Sequence, residues 1–121
     1  MQTEMQTKGF NRPDEVRSLP KTKIEVIDFG ELSLMKLTFE PGWKWSEHVM
    51  PVAGTTSCLV PHFNYCLSGR LHVRMNDGSE SELGPGDAQL LAPGHDAWVV
   101  GDEPYVGLDF QGGHLYGKSF H

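Results

Sequence analysis

Residues 70–83 read Arg70-Leu71-His72-Val73-Arg74-Met75-Asn76-Asp77-Gly78-Ser79-Glu80-Ser81-Glu82-Leu83. Leu71, Val73 and Met75 alternate with Arg70, His72 and Arg74, the period-2 pattern of a strand with one buried face. Asn76-Asp77-Gly78-Ser79 then supplies a tight hairpin turn, and Ser79 to Leu83 is the return strand. The same grammar repeats outward. Pro41-Gly42, Gly54, Gly69, Gly84-Pro85-Gly86, Pro93-Gly94 and Gly101 punctuate short apolar runs at close intervals. Glycine and proline disfavour helix interiors, and no window shows a helical period. Short strands between regular turn signals predict an all-β sandwich or barrel.

The predicted strands are residues 23–28, 32–39, 59–67, 70–75, 79–83, 88–92, 97–100 and 105–110, with a loop over 51–57. Residues 1–21, polar and holding Pro13 and Pro20, read as a loose arm. Residues 22–111 form the barrel, and 112–121 form a tail with weak signals. There is no internal repeat.

Composition limits what such a domain does. The chain has 121 residues, which suits one domain, and 38% of them are hydrophobic, as in a globular chain rather than a disordered one. Its 10 basic and 16 acidic residues give a net charge of −6. That balance argues against nucleic acid and anionic membrane as partners. No apolar run approaches the roughly 18 residues of a membrane span. The start of the chain lacks the apolar stretch of a secretory signal, so a cytoplasmic location is expected. Cys58 and Cys66 are too few for a disulfide framework. Buried thiols, a disulfide and a metal thiolate remain open for them. There is no nucleophile elbow, phosphate loop or dinucleotide fingerprint.

Several of the turns sit in a recognisable frame. Pro41-Gly42, a histidine six residues later at His48, and Tyr65-x-Leu67-x-Gly69 resemble the first motif of the cupin superfamily. Gly86-Asp87 followed by Pro93-Gly94 resembles the second. The resemblance covers residues 22–111, and it is nearest to small single-domain cupins without an assigned activity. It implies a double-stranded β-helix, the jelly-roll β-barrel, with one divalent metal and a small ligand inside. It also implies a homodimer whose edge strands or N-terminal arm pair across the interface.

The usual ligand set of that family is two histidines, a glutamate and a third histidine. Only the first is kept here, as His48. Met50 stands for the second, His62 for the glutamate and Ala97 for the last, with His95 two residues earlier. Residues two apart share a strand face, so His48, His62 and His95 form the expected set. Three imidazoles suit zinc, iron, nickel, copper or manganese, and three protein ligands leave positions open for a substrate. Tyr65 is the candidate proton carrier, and Trp43, Trp45, Met50, Asn64, Cys66 and Trp98 are candidate pocket residues. Each also has a plain structural role available. Asp96 would orient His95 or cap a turn, and His72, between Arg70 and Arg74, is expected to face water. The expectation is a metal-dependent enzyme such as an oxygenase or isomerase. A non-catalytic small-molecule-binding or sensory domain is the alternative.

Overall fold

The computed structural model describes residues 4–111. The 112–121 tail, with His114 and His121, lies outside the described residues. Nine strands run in order: β1 (Glu15–Leu19), β2 (Thr22–Asp28), β3 (Ser33–Phe39), β4 (His62–Ser68), β5 (Leu71–Met75), β6 (Glu80–Leu83), β7 (Ala88–Leu91), β8 (His95–Val99) and β9 (Tyr105–Asp109). Two one-turn helices, α1 (Trp45–His48) and α2 (Met50–Ala53), fall between β3 and β4. All pairings are antiparallel. One sheet has the order β1-β2-β3-β9-β4-β7, the other β6-β5-β8.

The 70–83 hairpin forms as its sequence predicts. Leu71 faces Leu83 and Val73 faces Ser81 across the ladder. The Asp77 carboxylate accepts from the Ser79 N–H at 2.9 Å, and Gly78 takes the left-handed conformation at φ 91°. Apolar residues of both sheets fill the space between them: Ile24, Val26, Met35, Leu37 and Phe39 from one, Leu71, Val73, Ala97 and Val99 from the other. The Phe39 and Trp43 rings stack at 3.7 Å, and the Trp43 indole N–H donates to Thr22 Oγ1 at 2.8 Å.

Two regions differ from the sequence reading. Residues 15–19 of the expected arm form β1, fully paired with β2 from Glu15↔Val26 to Leu19↔Thr22. Lys21 makes that turn possible at φ 57°. The 45–53 stretch, expected to hold no helix, coils into α1 and α2. Helices of four residues are too short to show a period. Their anchor is remote in sequence: the Asp96 carboxylate accepts from the Ser46 N–H at 3.1 Å and from the Ala97 N–H at 2.9 Å. Asp96 therefore caps a turn rather than orienting His95.

Candidate metal centre

Strand β4 alternates buried and exposed, which puts His62, Asn64 and Cys66 on the inner face and Phe63, Tyr65 and Leu67 on the outer one. Strand β8 alternates likewise, with His95, Ala97 and Val99 inside. The two inward histidines meet between the sheets with ring centroids 5.3 Å apart. Cys58 joins them through the backbone. It forms an isolated bridge with His95, its N–H donating to the His95 carbonyl at 2.8 Å, while its own carbonyl accepts from the Gly94 N–H at 2.7 Å.

The outcome is a cluster of Cys58, His62 and His95, all buried, whose candidate ligand atoms lie within 4.8 Å of one another. Cys58 Sγ is 3.6 Å from His62 Nε2. His62 Nδ1 faces the Asp109 carboxylate in a short contact. The other Asp109 oxygen accepts from the Phe63 and Gln111 N–H groups at 3.1 and 2.9 Å, so the carboxylate is held in place although fully buried. His95 Nδ1 lies 2.8 Å from the Ala92 carbonyl, an acceptor, so this nitrogen carries the proton. Both rings are thereby oriented through Nδ1, which leaves each Nε2 lone pair available inside. A buried carboxylate or carbonyl behind each imidazole is the arrangement that orients metal-binding histidines.

Charge in the cluster follows from burial. Desolvation, with His62 adding to it, pushes the His95 pKa down to about 4, so its ring is neutral at pH 7. Burial pushes the Cys58 thiol up to about 12. A bound cation would have to displace that proton, which makes affinity rise with pH.

Beside the cluster is a cavity of about 20 Å³ (the space open to a water molecule's centre) lined by Leu37, Phe39, Trp43, Trp45, Asn64 and Ala97, among others. That volume holds about one water or ion. Of the candidate pocket residues, Trp43, Trp45 and Asn64 line this cavity. Met50 packs half-buried against the core from the start of α2. Cys66 is buried, its thiol 3.5 Å from the Ser68 and Gly69 carbonyls. Trp98 is on the outer side of β8, stacked on His72 at 4.8 Å with Lys44 over its face. His72, expected in water, is half-shielded there and 2.7 Å from Glu80. Tyr65 is 40% exposed on the outer face of β4, away from the cavity.

His48 is not part of the cluster. It closes α1, where its Nδ1 lies 3.0 Å from the Lys44 N–H. Sequence reasoning left a metal thiolate open for Cys58 without placing it in the ligand set, and it passed over Asp109. A Cys-x3-His spacing to His62 was the available signal for the first. Nothing local marked the second, which comes from a strand 47 residues after His62.

Comparisons place this architecture. A protein from Rhizobium leguminosarum, described as of unknown function, superposes with a TM-score of 0.66 at 18% identity, over 90% of this chain and 97% of that one. An RmlC-like cupin from Shewanella frigidimarina gives 0.64 at 19% identity, over 95% and 97%. The oxalate decarboxylase of Lactobacillus farciminis, in a formate complex, gives 0.57 at 18% identity over 84% of this chain. The chain spans 32% of that enzyme's length. No protein-family model matches the chain, and no curated protein matches it in sequence. The fold is the double-stranded β-helix of the RmlC-like cupins. Among the described residues no helix is long and apolar enough to cross a membrane.

Proposed function

We propose that the protein holds one divalent metal ion on Cys58, His62 and His95 and acts as a metal-dependent enzyme on a small organic molecule. The cluster itself carries the reading: three buried donors within 4.8 Å of one another, two of them imidazoles oriented through Nδ1. His62 and His95 keep the roles expected from sequence, and Cys58 takes the one given to His48. One thiolate with two imidazoles suits zinc, with room for a non-protein ligand. Zinc there would supply a Lewis acid for a carbonyl or hydroxyl oxygen. The chain's part is to hold the donors oriented, with Asp109 behind His62, and to exclude bulk water with Trp43, Trp45 and Phe39. That one cupin-fold neighbour is an oxalate decarboxylase supports small-molecule chemistry on this scaffold.

Elemental analysis of wild type, Cys58→Ser, His62→Ala and Asp109→Asn tests this. About one equivalent of metal is expected in wild type, lost in the first two variants. In Asp109→Asn the affinity should fall about 10- to 100-fold, the usual effect of removing a carboxylate behind a ligating histidine. Metal-free wild type after reconstitution with zinc would overturn the reading.

Cys58, His62 and Asp109 also line up as a thiol–imidazole–carboxylate relay, which favours a nucleophilic cysteine as a second reading. Against it, the thiol is buried and its pKa is pushed up to about 12, whereas nucleophilic cysteines are partly exposed and acidified.

We also propose a homodimer. Phe63, Tyr65, Leu67, Leu90 and Phe110 are all exposed. Phe63 faces Leu90 across the β4–β7 ladder and packs on Phe110 at 5.6 Å, which makes an apolar stripe of the kind found at interfaces.

A further inference from the structure

Before β1 begins, residues 4–13 cross the outer face of β2 and β3. Glu4, Met5 and Gln6 line one cavity with Phe29 and Leu32 at the β2–β3 turn, and the Phe10 ring lies 5.9 Å from Lys36 Nζ. The main chain of this segment is barely tied to the sheets. Among the described residues, the backbone hydrogen bond within residues 5–13 runs from the Arg12 N–H to the Gly9 carbonyl at 3.0 Å, and the first to reach the sheet is from the Asp14 N–H to the Val26 carbonyl at 2.8 Å. Side chains hold the segment instead. Lys8 Nζ donates to the two Asp14 carboxylate oxygens at 3.2 and 3.1 Å and to the Asp28 carbonyl at 2.5 Å. It also stands 5.5 Å from the centre of the Phe29 ring.

Lys36 marks the face that lies beneath. It pairs with Glu25, and Leu34 pairs with Ile27, on the side of the sheet opposite Ile24, Val26, Met35 and Leu37. Residues on an outer strand face normally meet water. Yet Ile27 is 3% exposed and Glu25 8%, and Ile27 is not part of the core between the sheets. Asp14 bonds to both neighbours of Ile27, giving its N–H to Val26 and accepting the Asp28 N–H on its carboxylate at 2.7 Å. The Lys8 contacts therefore close over Ile27. The register carried one step beyond Met35↔Asp109 directs Leu34 towards Phe110, so the covered pair lies at the end of the exposed apolar stripe.

A segment without ladder bonds, held by exposed polar contacts, opens at low cost while the sheets stay intact. The Lys8 and Asp14 side chains are 33% and 39% exposed, and an ion pair of that kind is weak and screened by salt. Four contacts share the one ammonium, however, so its loss removes them together. We infer that residues 4–13 are a strap latched by Lys8, which lifts from the outer face of β2 and β3 with the barrel intact and bares Ile27 and Leu34. The strap stands independently of the metal and dimer readings above.

The chain offers its own reporters, because its only isoleucines are Ile24 and Ile27. Ile24 is 0% exposed in the core and serves as the reference. Their methyl NMR signals are followed in the full-length protein with a neutral, soluble gadolinium chelate, which broadens the methyl groups it can approach. Wild type at low salt should protect both. Lys8→Gln should broaden Ile27 about threefold or more over wild type and leave Ile24 unchanged, as expected of local opening. Asp14→Asn, which keeps an acceptor for the Asp28 N–H, should do the same, and Lys8→Arg should stay close to wild type. Salt at about 1 M should broaden Ile27 in wild type and add nothing in Lys8→Gln. An unchanged Ile27 in Lys8→Gln would show that Lys8 is no latch. Ile24 broadening in step with Ile27 would show that the barrel loosens as a whole, and Lys8→Arg behaving like Lys8→Gln would remove charge as the cause. Any of these three results overturns the inference.

Discussion

Tyr105 has its hydroxyl buried without a hydrogen bond while its ring stacks near Phe39 at 5.7 Å. Burial raises its pKa above the ordinary value of 10.0. The unfolded chain therefore loses this proton first as pH rises, so the stability tied to the neutral phenol is present below pH 10 and lost above it. Tyr105→Phe should be at least as stable as wild type at pH 7 and should lose less melting temperature between pH 9 and pH 11. An equal loss in both proteins would refute this account. At this scale the site was half legible. His62 and His95 were picked out by the cupin-like ligand positions, and strand alternation places both inside, with Ala97 beside His95. Cys58 was not legible, because its position comes from a single bridge to His95 rather than from a strand pattern. Trp98 and Tyr65 read as site residues by proximity in sequence, yet each is one residue out of phase with an inward neighbour.

Strand β4 ends in an irregular register between Cys66 and Ser68 where it leaves β9. Gly69 makes the bend that follows, at φ 76°, and a Cβ there would sit 2.2 Å from the Pro104 carbonyl oxygen. Both the left-handed backbone and the backbone contact exclude other residues. Gly69→Ala should cost about 2 kcal/mol or more, read as a lower urea midpoint, and an unchanged midpoint would show that the bend relaxes freely. Elements with a strong period were legible: the β5–β6 hairpin, and β2, β3 and β9 within a residue or two. Strand β1 was not, because its Glu15-Val16-Arg17-Ser18-Leu19 sequence is mostly polar. It exists because β2 offers an edge to pair with. The two helices were hidden for a related reason, since Asp96 sets where α1 begins from 50 residues away.

For the whole molecule, the turn spacing indicated an all-β sandwich or barrel, the resemblance to the cupin motifs implied the double-stranded β-helix, and the structural neighbours have that fold. The dimer proposal belongs at this scale. Light scattering should give twice the mass of the 13.5 kDa chain. Leu90→Glu, at a position 78% exposed, should halve that mass without lowering the monomer's β content. A wild-type monomer would rule the dimer out. The sheet order has one more consequence. Strand β9 is the last described strand in the chain, yet it lies in the middle of its sheet, between β3 and β4. On a ribosome, which delivers the chain from its N-terminus, β3 and β4 wait with open edges until residues 105–109 emerge. Asp109 arrives with them, so the carboxylate that orients His62 is the last part of the cluster to be made.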